Sequence, residues 1–310
     1  MDTPPDSAHR SHFYQLAKQM NLEHLSHRFS EDTVLSDGIR LHLDIIVSDR
    51  NAPTIVFLPG TATYALCFAE ILVAIADAGY NVVGIDARGH GRSEGTRGDY
   101  TVSELVRDAQ AVIGYAIDHF NERVSLLGCS QGGIIAFYTA AIDDRIQSAI
   151  CQNFADLSDP ATLHVARYPT LARWSKPLMA AAYRLFPKQQ IPITTYIDHK
   201  RLKIPKYGTI QDFVEQDPLA IKTISVRALW SLTNTRLSRP IEQIDTPLLI
   251  LQPGNDEIFP LAYTQHLFDQ LTCQKQLCVL PDMTHTMMVA APQIAVKPII
   301  EWLNGLYAVE

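Results

Sequence analysis

The sequence predicts an α/β protein: a mostly parallel central sheet with helices on both faces and a helical cap inserted into it. Three observations predict this. Short continuous apolar runs alternate with longer amphipathic stretches, the pattern of parallel strands covered on both sides. Three of these runs, "TIVFLPG", "YNVVGIDARGHG" and "RVSLLGCSQGG", end in Pro-Gly or Gly-rich breaks. The alternation stops near Phe154 and resumes near Pro240, across a Pro-rich change of composition that includes Trp174 and Trp230.

The elements follow in order. The first thirty or so residues are polar and read as helical or loosely attached. Residues 33–48, "TVLSDGIRLHLDIIVS", read as two strands joined at Asp37-Gly38, a strong hairpin signal. Ile39, Leu41 and Leu43 alternate with Arg40, His42 and Asp44, as the single buried face of an edge strand would. Residues 54–60 form a buried strand, 68–78 a helix closed by Gly79, and "YNVVGID" a second buried strand. Residues 102–120 form a longer helix with Leu105, Val106, Ala109, Val112, Ile113 and Ala116 on one face. "RVSLLGCSQGG" runs from a strand straight into an apolar helix, and "IQSAICQN" is the next strand. Past the insertion come the strand of "TPLLILQPGND", a helix over 261–271, the strand of "KQLCVLPDMTH" and a last helix from Pro298. The expected organisation is a core of residues 1–154 and 236–310 with a cap of 155–235. A structureless loop of that length is improbable in a compact domain.

The chain has 310 residues, 47% hydrophobic and 19% charged, enough apolar material for a large core. A net charge of −7 argues against a nucleic-acid partner, which needs a basic face. Cys67, Cys129, Cys151, Cys273 and Cys278 show neither a CxxC pair nor zinc spacing, so free thiols in a reducing compartment are expected. Neither metal nor cofactor is expected, because His, Cys and acidic residues do not recur at ligand spacing. Residues 1–20 carry no signal-like apolar segment, and no run approaches the roughly 20 residues that span a bilayer. A cytoplasmic location is the corresponding expectation.

Gly128-Cys129-Ser130-Gln131-Gly132 matches G-x-S-x-G. The pattern needs its glycines because strand and helix backbones crowd a sharp turn from which the serine hydroxyl must project. Alone it is a modest signal. A buried strand before it and an apolar helix after it supply the context that gives it weight. Cys129 competes on intrinsic nucleophilicity, but the second position of such a turn points away from the apex. A serine needs a base, and the base an orienting acid, here expected in the order Ser, Asp or Glu, His. Asp256 follows a late strand. Glu257 beside it is a rival, and Asp245 lies at that strand's wrong end. Among the histidines only His285 lies beyond Asp256 and after a strand end. His266 falls within the intervening helix. Acyl transfer also needs two backbone N–H groups for the developing oxyanion. Gln131, after the nucleophile, supplies one. Thr61, after Pro59-Gly60, is the candidate for the other, with Ala62 adjacent. "DARGHGRSEG" lacks both G-x-G-x-x-G and the Walker lysine, so it reads as a rigid turn held by Asp86 and Arg88, with His90 structural.

These residues resemble the α/β-hydrolase superfamily over nearly the whole chain. Asp86, Arg88, Gly89, His90, Gly91, Ser93, Gly95 and Arg97-Gly98 resemble the branch of monoacylglycerol lipases and lysophospholipases, as does "QDPLA" at 216–220. Two positions depart from that branch: Pro59-Gly60 replaces its His-Gly, and Thr284 precedes the base where a Gly is usual. The resemblance implies Ser130, Asp256 and His285 as a triad, with Thr61 and Gln131 as oxyanion donors. The leading expectation is a carboxylic-ester hydrolase acting on a lipid-like or other apolar small-molecule acyl ester. Alternatives are a thioesterase, amidase, lactonase or C–C hydrolase with the same triad, and a non-catalytic ligand receptor. A proline-releasing peptidase is less favoured, because the cap shows no acidic pair for an amine. The apolar stretch at 177–187, "PLMAAAYRLFP", suits an acyl chain or contact with a lipid surface, or else simple packing on the core.

Overall fold

The computed structural model describes residues 18–204 and 207–308. The sequence expectations for residues 1–17 lie outside them. The chain opens with strands β1 (Ser30–Ser36) and β2 (Ile39–Ile46), paired antiparallel. Asp37 and Gly38 between them have φ of 50° and 77°, the two positive values of the turn that matches strand twist. β3 (Thr54–Leu58), helix α1 (Ala69–Asp77), β4 (Asn81–Ile85), α2 (Val102–His119), β5 (Val124–Cys129), α3 (Gln131–Ala140) and β6 (Ser148–Gln152) follow. α2 starts at Thr101, whose side chain accepts from the Glu104 N–H while Glu104 accepts from the Thr101 N–H.

Residues 155–235 hold α4 (Pro169–Trp174), α5 (Lys176–Leu185), β7 (Gln190–Pro192), β8 (Lys203–Ile204), β9 (Gly208–Thr209), α6 (Ile210–Gln216), β10 (Thr223–Ser225) and α7 (Val226–Ser231). β7 pairs with β10 and β8 with β9. The segment is therefore helical with two small ribbons, not purely helical. Strands of two or three residues are too short for a period to be legible. Among the ties that fix it to the rest, the Ile221 N–H donates to Ala62 O at 3.2 Å, Ser225 N–H to Gly98 O at 2.9 Å, and Tyr64 Oη to Asp217 Oδ2 at 2.6 Å. The last contact places the "QDPLA" stretch against the loop after β3.

β11 (Leu248–Pro253), α8 (Leu261–Gln270), β12 (Lys275–Leu280), α9 (Met287–Ala290) and α10 (Pro292–Tyr307) complete the chain. α10 begins at Pro292, not at Pro298. A proline fits the first turn of a helix, and Pro292 occupies it, while Pro298 lies inside the helix. The eight-stranded sheet has the order β1-β2-β4-β3-β5-β6-β11-β12, parallel from β4 onward.

Alternation along the strands divides the core into two layers. Val56, Leu58, Leu248 and Ile250 face α2 and α3. Ile55, Phe57, Leu249 and Leu251 face α1 and α10. Fully burying one such side chain contributes about 1.5–3 kcal/mol, which is why both faces must be covered. β2 departs from the expected edge strand. β1 is the edge, and His42 and Asp44 are buried along with Leu41 and Leu43. The Gly-rich loop after β4 covers that second face. Arg92 donates from Nη1 to Glu31 at 2.6 Å and lies 3.2 Å from His42 Nε2. The same loop is held by the two residues its sequence singles out, Asp86 and Arg88. Asp86 accepts from the N–H groups of Ala65 and Arg92 at 3.0 and 2.8 Å, and Arg88 donates twice to Asp108.

Candidate active site

Register sets the site. Leu58 at the end of β3 pairs with Gly128, and Cys129 at the end of β5 pairs with Gln152. The loops after three neighbouring strands therefore leave the sheet at one level, where ligands collect in open α/β sheets. Ser130 caps β5 with φ 54° and ψ −116° before α3 begins at Gln131. Such a backbone costs about 1–3 kcal/mol and persists only where its surroundings impose it. Here they do. A Cβ on Gly128 would overlap the carbonyl of Gly132, and one on Gly132 would overlap that of Leu58. The two glycines of the motif are where strand, helix and the neighbouring strand touch.

Ser130 Oγ lies 2.9 Å from His285 Nε2, and His285 Nδ1 lies 3.1 Å from both oxygens of Asp256. His285 is in the loop between β12 and α9, and Asp256 in the loop after β11. The structure thus brings together the three residues that the sequence singles out. The Asp256 side chain is buried and accepts from the N–H groups of Ile258 and Phe259 at 2.8 and 2.9 Å and from Asn153 Nδ2 at 3.0 Å. Burial pushes its carboxyl upward, but the His285 imidazole and the two backbone donors outweigh it and hold the pKa below the ordinary value. Glu257, the rival acid, accepts from the His285 backbone N–H at 3.0 Å and does not reach the ring. Gln152 Nε2 donates to the His285 carbonyl at 2.7 Å, so both sides of that peptide are held. The Phe259 ring lies parallel to the imidazole, with centroids 5.9 Å apart. Cys129 is buried, donates its thiol to Gln152 Oε1 at 3.3 Å, and has its pKa raised by burial.

Gln131 opens α3, so its N–H is one of the unpaired donors of a helix start. Thr61 sits in the loop after β3, next to Gly60, whose Cβ position would lie 3.5 Å from Ser130 Cβ. Thr61 Oγ1 donates to Gln131 Oε1 at 2.7 Å, and Tyr100 Oη to the same atom at 3.1 Å. The two predicted oxyanion residues are therefore tied to each other by their side chains. Ala62 takes φ 67°, which turns the chain immediately after Thr61.

A cavity of about 680 Å³, counting its open mouth, contains Ser130 and His285 in its wall. Phe68, Ile197, Leu202, Ile210 and Phe213 make much of the remainder. Among the described residues no Asp or Glu lines it. His199 lines it as well, buried and with Nδ1 unpartnered, and burial lowers its pKa to about 4, so it is a neutral wall. The sequence gives Asn153 and Gln152 no rank, and sets His199 aside with the other histidines that precede Asp256. The legible signal for the first two is their position at the end of "SAICQN", beside the elbow strand. Among the described residues, Glu31, His42 and Asp44 are the cluster with metal-ligand atoms close together, and the Arg92 guanidinium already occupies it.

The pattern of the family described as serine aminopeptidase, S33, matches residues 49–290. The chain belongs to this family. Its fold and its glycine-framed serine are those of a serine-hydrolase-like α/β hydrolase. A monoacylglycerol lipase of Mycolicibacterium smegmatis is 26% identical over 276 residues, 86% of this chain and 93% of that one. An uncharacterized 31.7 kDa protein of Escherichia coli is 33% identical over 135 residues, and the match spans 40% of this chain and 46% of that relative's length. Among solved structures, a monoacylglycerol lipase of Paleococcus ferrophilus has a TM-score of 0.68 at 21% identity, over 86% of this chain and 99% of that one. A soluble variant of monoglyceride lipase from Saccharomyces cerevisiae, in complex with a substrate analog, has a TM-score of 0.75 at 14% identity, over 90% and 96%. These two likenesses are of fold. Among the described residues no helix is long and apolar enough to cross a membrane.

His90 is buried beside the site, with Nδ1 3.0 Å from Arg88 O, and burial lowers its pKa to about 4. The unfolded chain binds that proton near pH 6.5, so between about 6.5 and 4 the unfolded state carries more protons. Stability is therefore present above that window and is lost as pH falls through it, by up to roughly 3 kcal/mol for this group. Thermal melts of wild type and His90→Asn across pH 7 to 4 should show a shallower fall in the variant. Parallel curves would contradict the assignment.

Proposed function

We propose that this protein hydrolyses carboxylic esters with a lipid-like, apolar acyl chain. The observation that carries the reading is the hydrogen-bonded line Ser130–His285–Asp256 opening on an apolar cavity. Ser130 Oγ attacks the ester carbonyl while His285 Nε2 takes its proton, and Asp256 orients the imidazole and stabilises its charged form. The carbonyl electron pair moves to oxygen, where the Thr61 and Gln131 N–H groups meet it. Collapse expels the alcohol, protonated by His285, and leaves an acyl-Ser130 ester. Water, deprotonated by His285, reverses the sequence and releases the acid.

Residues 155–235 act as the cap and 1–154 with 236–310 as the core in this reading, because Ile197, His199 and Leu202 close the cavity over Ser130. The cap's apolar exposed side would place the cavity near a lipid surface. The family description favours a second reading, cleavage of an amide at a peptide amino terminus. A free ammonium would need a carboxylate, and none lines the cavity among the described residues. Thioester, lactone and C–C substrates share the same triad chemistry and are separated from simple esters by including one of each beside the esters in the assay. A panel of acyl esters of increasing chain length tests the proposal. Each added methylene that enters the cavity should raise kcat/KM by up to about fourfold, the equivalent of ~0.8 kcal/mol. A flat, feeble response across the panel, with faster turnover of aminoacyl amides, would overturn it.

A further inference from the structure

β6 lies between β5 and β11 in the sheet, so its carboxyl end stands between the loop that carries Ser130 and the loop that carries Asp256. Gln152 and Asn153 are the two residues there, and neither is exposed to solvent. Together they reach every member of the triad. Gln152 O accepts from the Ser130 N–H at 2.9 Å, Gln152 Nε2 donates to His285 O at 2.7 Å, and Asn153 Nδ2 donates to Asp256 Oδ2 at 3.0 Å. Neither residue takes part in the proton transfers.

A carboxamide can turn over and exchange its acceptor for its donor. Here both are held in one sense. Cys129 Sγ donates to Gln152 Oε1 at 3.3 Å, which leaves the Gln152 NH₂ for His285 O and, at 3.4 Å, for Asn153 Oδ1. With Oδ1 so occupied, the Asn153 NH₂ is the group that faces Asp256. The donors run from Cys129 to Gln152 to Asn153 to Asp256 and end on a carboxylate, which only donors can satisfy. Asn153 also takes φ 65°, a conformation in which asparagine and aspartate are enriched among residues other than glycine. Of those two, aspartate would set a second carboxylate against Asp256, whereas asparagine brings a donor.

We propose that Gln152 and Asn153 are positioning residues for the reaction: Gln152 fixes the main chain of His285 so that Nε2 meets Ser130 Oγ, and Asn153 fixes the Asp256 carboxylate against Nδ1. The proposal rests on the reading of Ser130, His285 and Asp256 as a triad. Asn153 has an electrostatic part as well. Its donation to Oδ2 takes up some of the carboxylate's charge and favours the ionised form. Without it, the buried carboxylate either holds the imidazolium proton more tightly or takes up a proton itself. Both disable the base at a higher pH than before, so the acid limb of kcat/KM moves upward. Gln152 touches no oxygen of Asp256, and its loss leaves the limb in place. The other ionisable groups around the pair are Cys129 beside Asp256, Glu257 on the His285 main chain and His199 from the cap. Burial keeps the Cys129 thiol protonated and His199 neutral above about pH 4, and Glu257 is the same in every variant.

The test is the pH dependence of kcat and KM for a dissolved short-chain ester, with Asn153→Gly, Asn153→Ala and Gln152→Met beside wild type. Glycine accepts φ 65° without strain, and methionine keeps the reach of glutamine without its donor. Titration to completion with a fluorophosphonate counts intact sites, so kcat is taken per labelled serine and any misfolded fraction drops out. In all three variants kcat should fall roughly tenfold with KM within about twofold of wild type. The acid limb should rise by about half a unit in both Asn153 variants and stay in place in Gln152→Met. A kcat within about threefold of wild type in every variant, an unmoved limb in the Asn153 variants, or an equal shift in all three would overturn the proposal and leave the dipeptide a part of the fold alone. Failure of the triad reading is seen separately, as wild type that neither labels nor turns over the ester.

Discussion

Ser130→Ala is expected to lower kcat for ester hydrolysis by roughly a millionfold while leaving the fold unchanged. The size follows from what the hydroxyl does. Ser130 Oγ is 2.9 Å from His285 Nε2, and without it the histidine has no nucleophile to activate and no acyl-enzyme forms. Residual hydrolysis would come from binding and the oxyanion donors alone. The substitution is structurally mild, since alanine and serine meet the same strain at φ 54° and the glycines that crowd the turn are untouched. A fluorophosphonate probe reports the same group directly: wild type should label at one site and Ser130→Ala not at all. Labelling that persists in the variant would shift the nucleophile to Cys129. The structure argues against that, because the thiol is buried, donates to Gln152 and has a raised pKa. A well-folded wild type that never labels would instead favour a ligand receptor built on this fold.

Much of this arrangement was legible beforehand because its signals are local. A continuous apolar run ending in glycine reports a buried strand and its turn, and chain order reports which histidine can follow which acid. Asp256 and His285 could be read that way, as could the hairpin at Asp37-Gly38. What stayed hidden depends on contacts between distant residues. Nothing local marks His42 and Asp44 as buried, since that follows from Arg92 folding across β2. Nor does the chain announce Asn153, which reaches Asp256 only because β6 and β11 are neighbours. The ribbons within 155–235 are two or three residues per strand, below the length at which alternation can be counted. α10 starts six residues before the Pro298 that the sequence suggests, because Pro292 and Pro298 both suit a helix start and only the packed helix shows which one occupies it.

The assignment of the acid carries the second large expectation. Asp256→Asn should lower kcat by about 10⁴-fold with little loss of stability. Every donor around the carboxylate fixes how the amide must sit. Oδ1 accepts from the N–H groups of Ile258 and Phe259, so the amide oxygen belongs there. The amide NH₂ then takes the place of Oδ2, facing Asn153 Nδ2 and His285 Nδ1. The amide NH₂ now faces His285 Nδ1 as a donor, which favours the tautomer with its proton on Nε2. That nitrogen faces Ser130, so the base is lost without any atom being displaced. Glu257→Gln makes the contrast. Glu257 holds the backbone N–H of His285, and a glutamine oxygen can hold it equally well, so kcat should stay within about threefold of wild type, a change below ~1 kcal/mol. Measuring kcat for both variants on one ester decides between the two neighbouring acids. A severe loss in Glu257→Gln beside a near-normal Asp256→Asn would reverse the assignment.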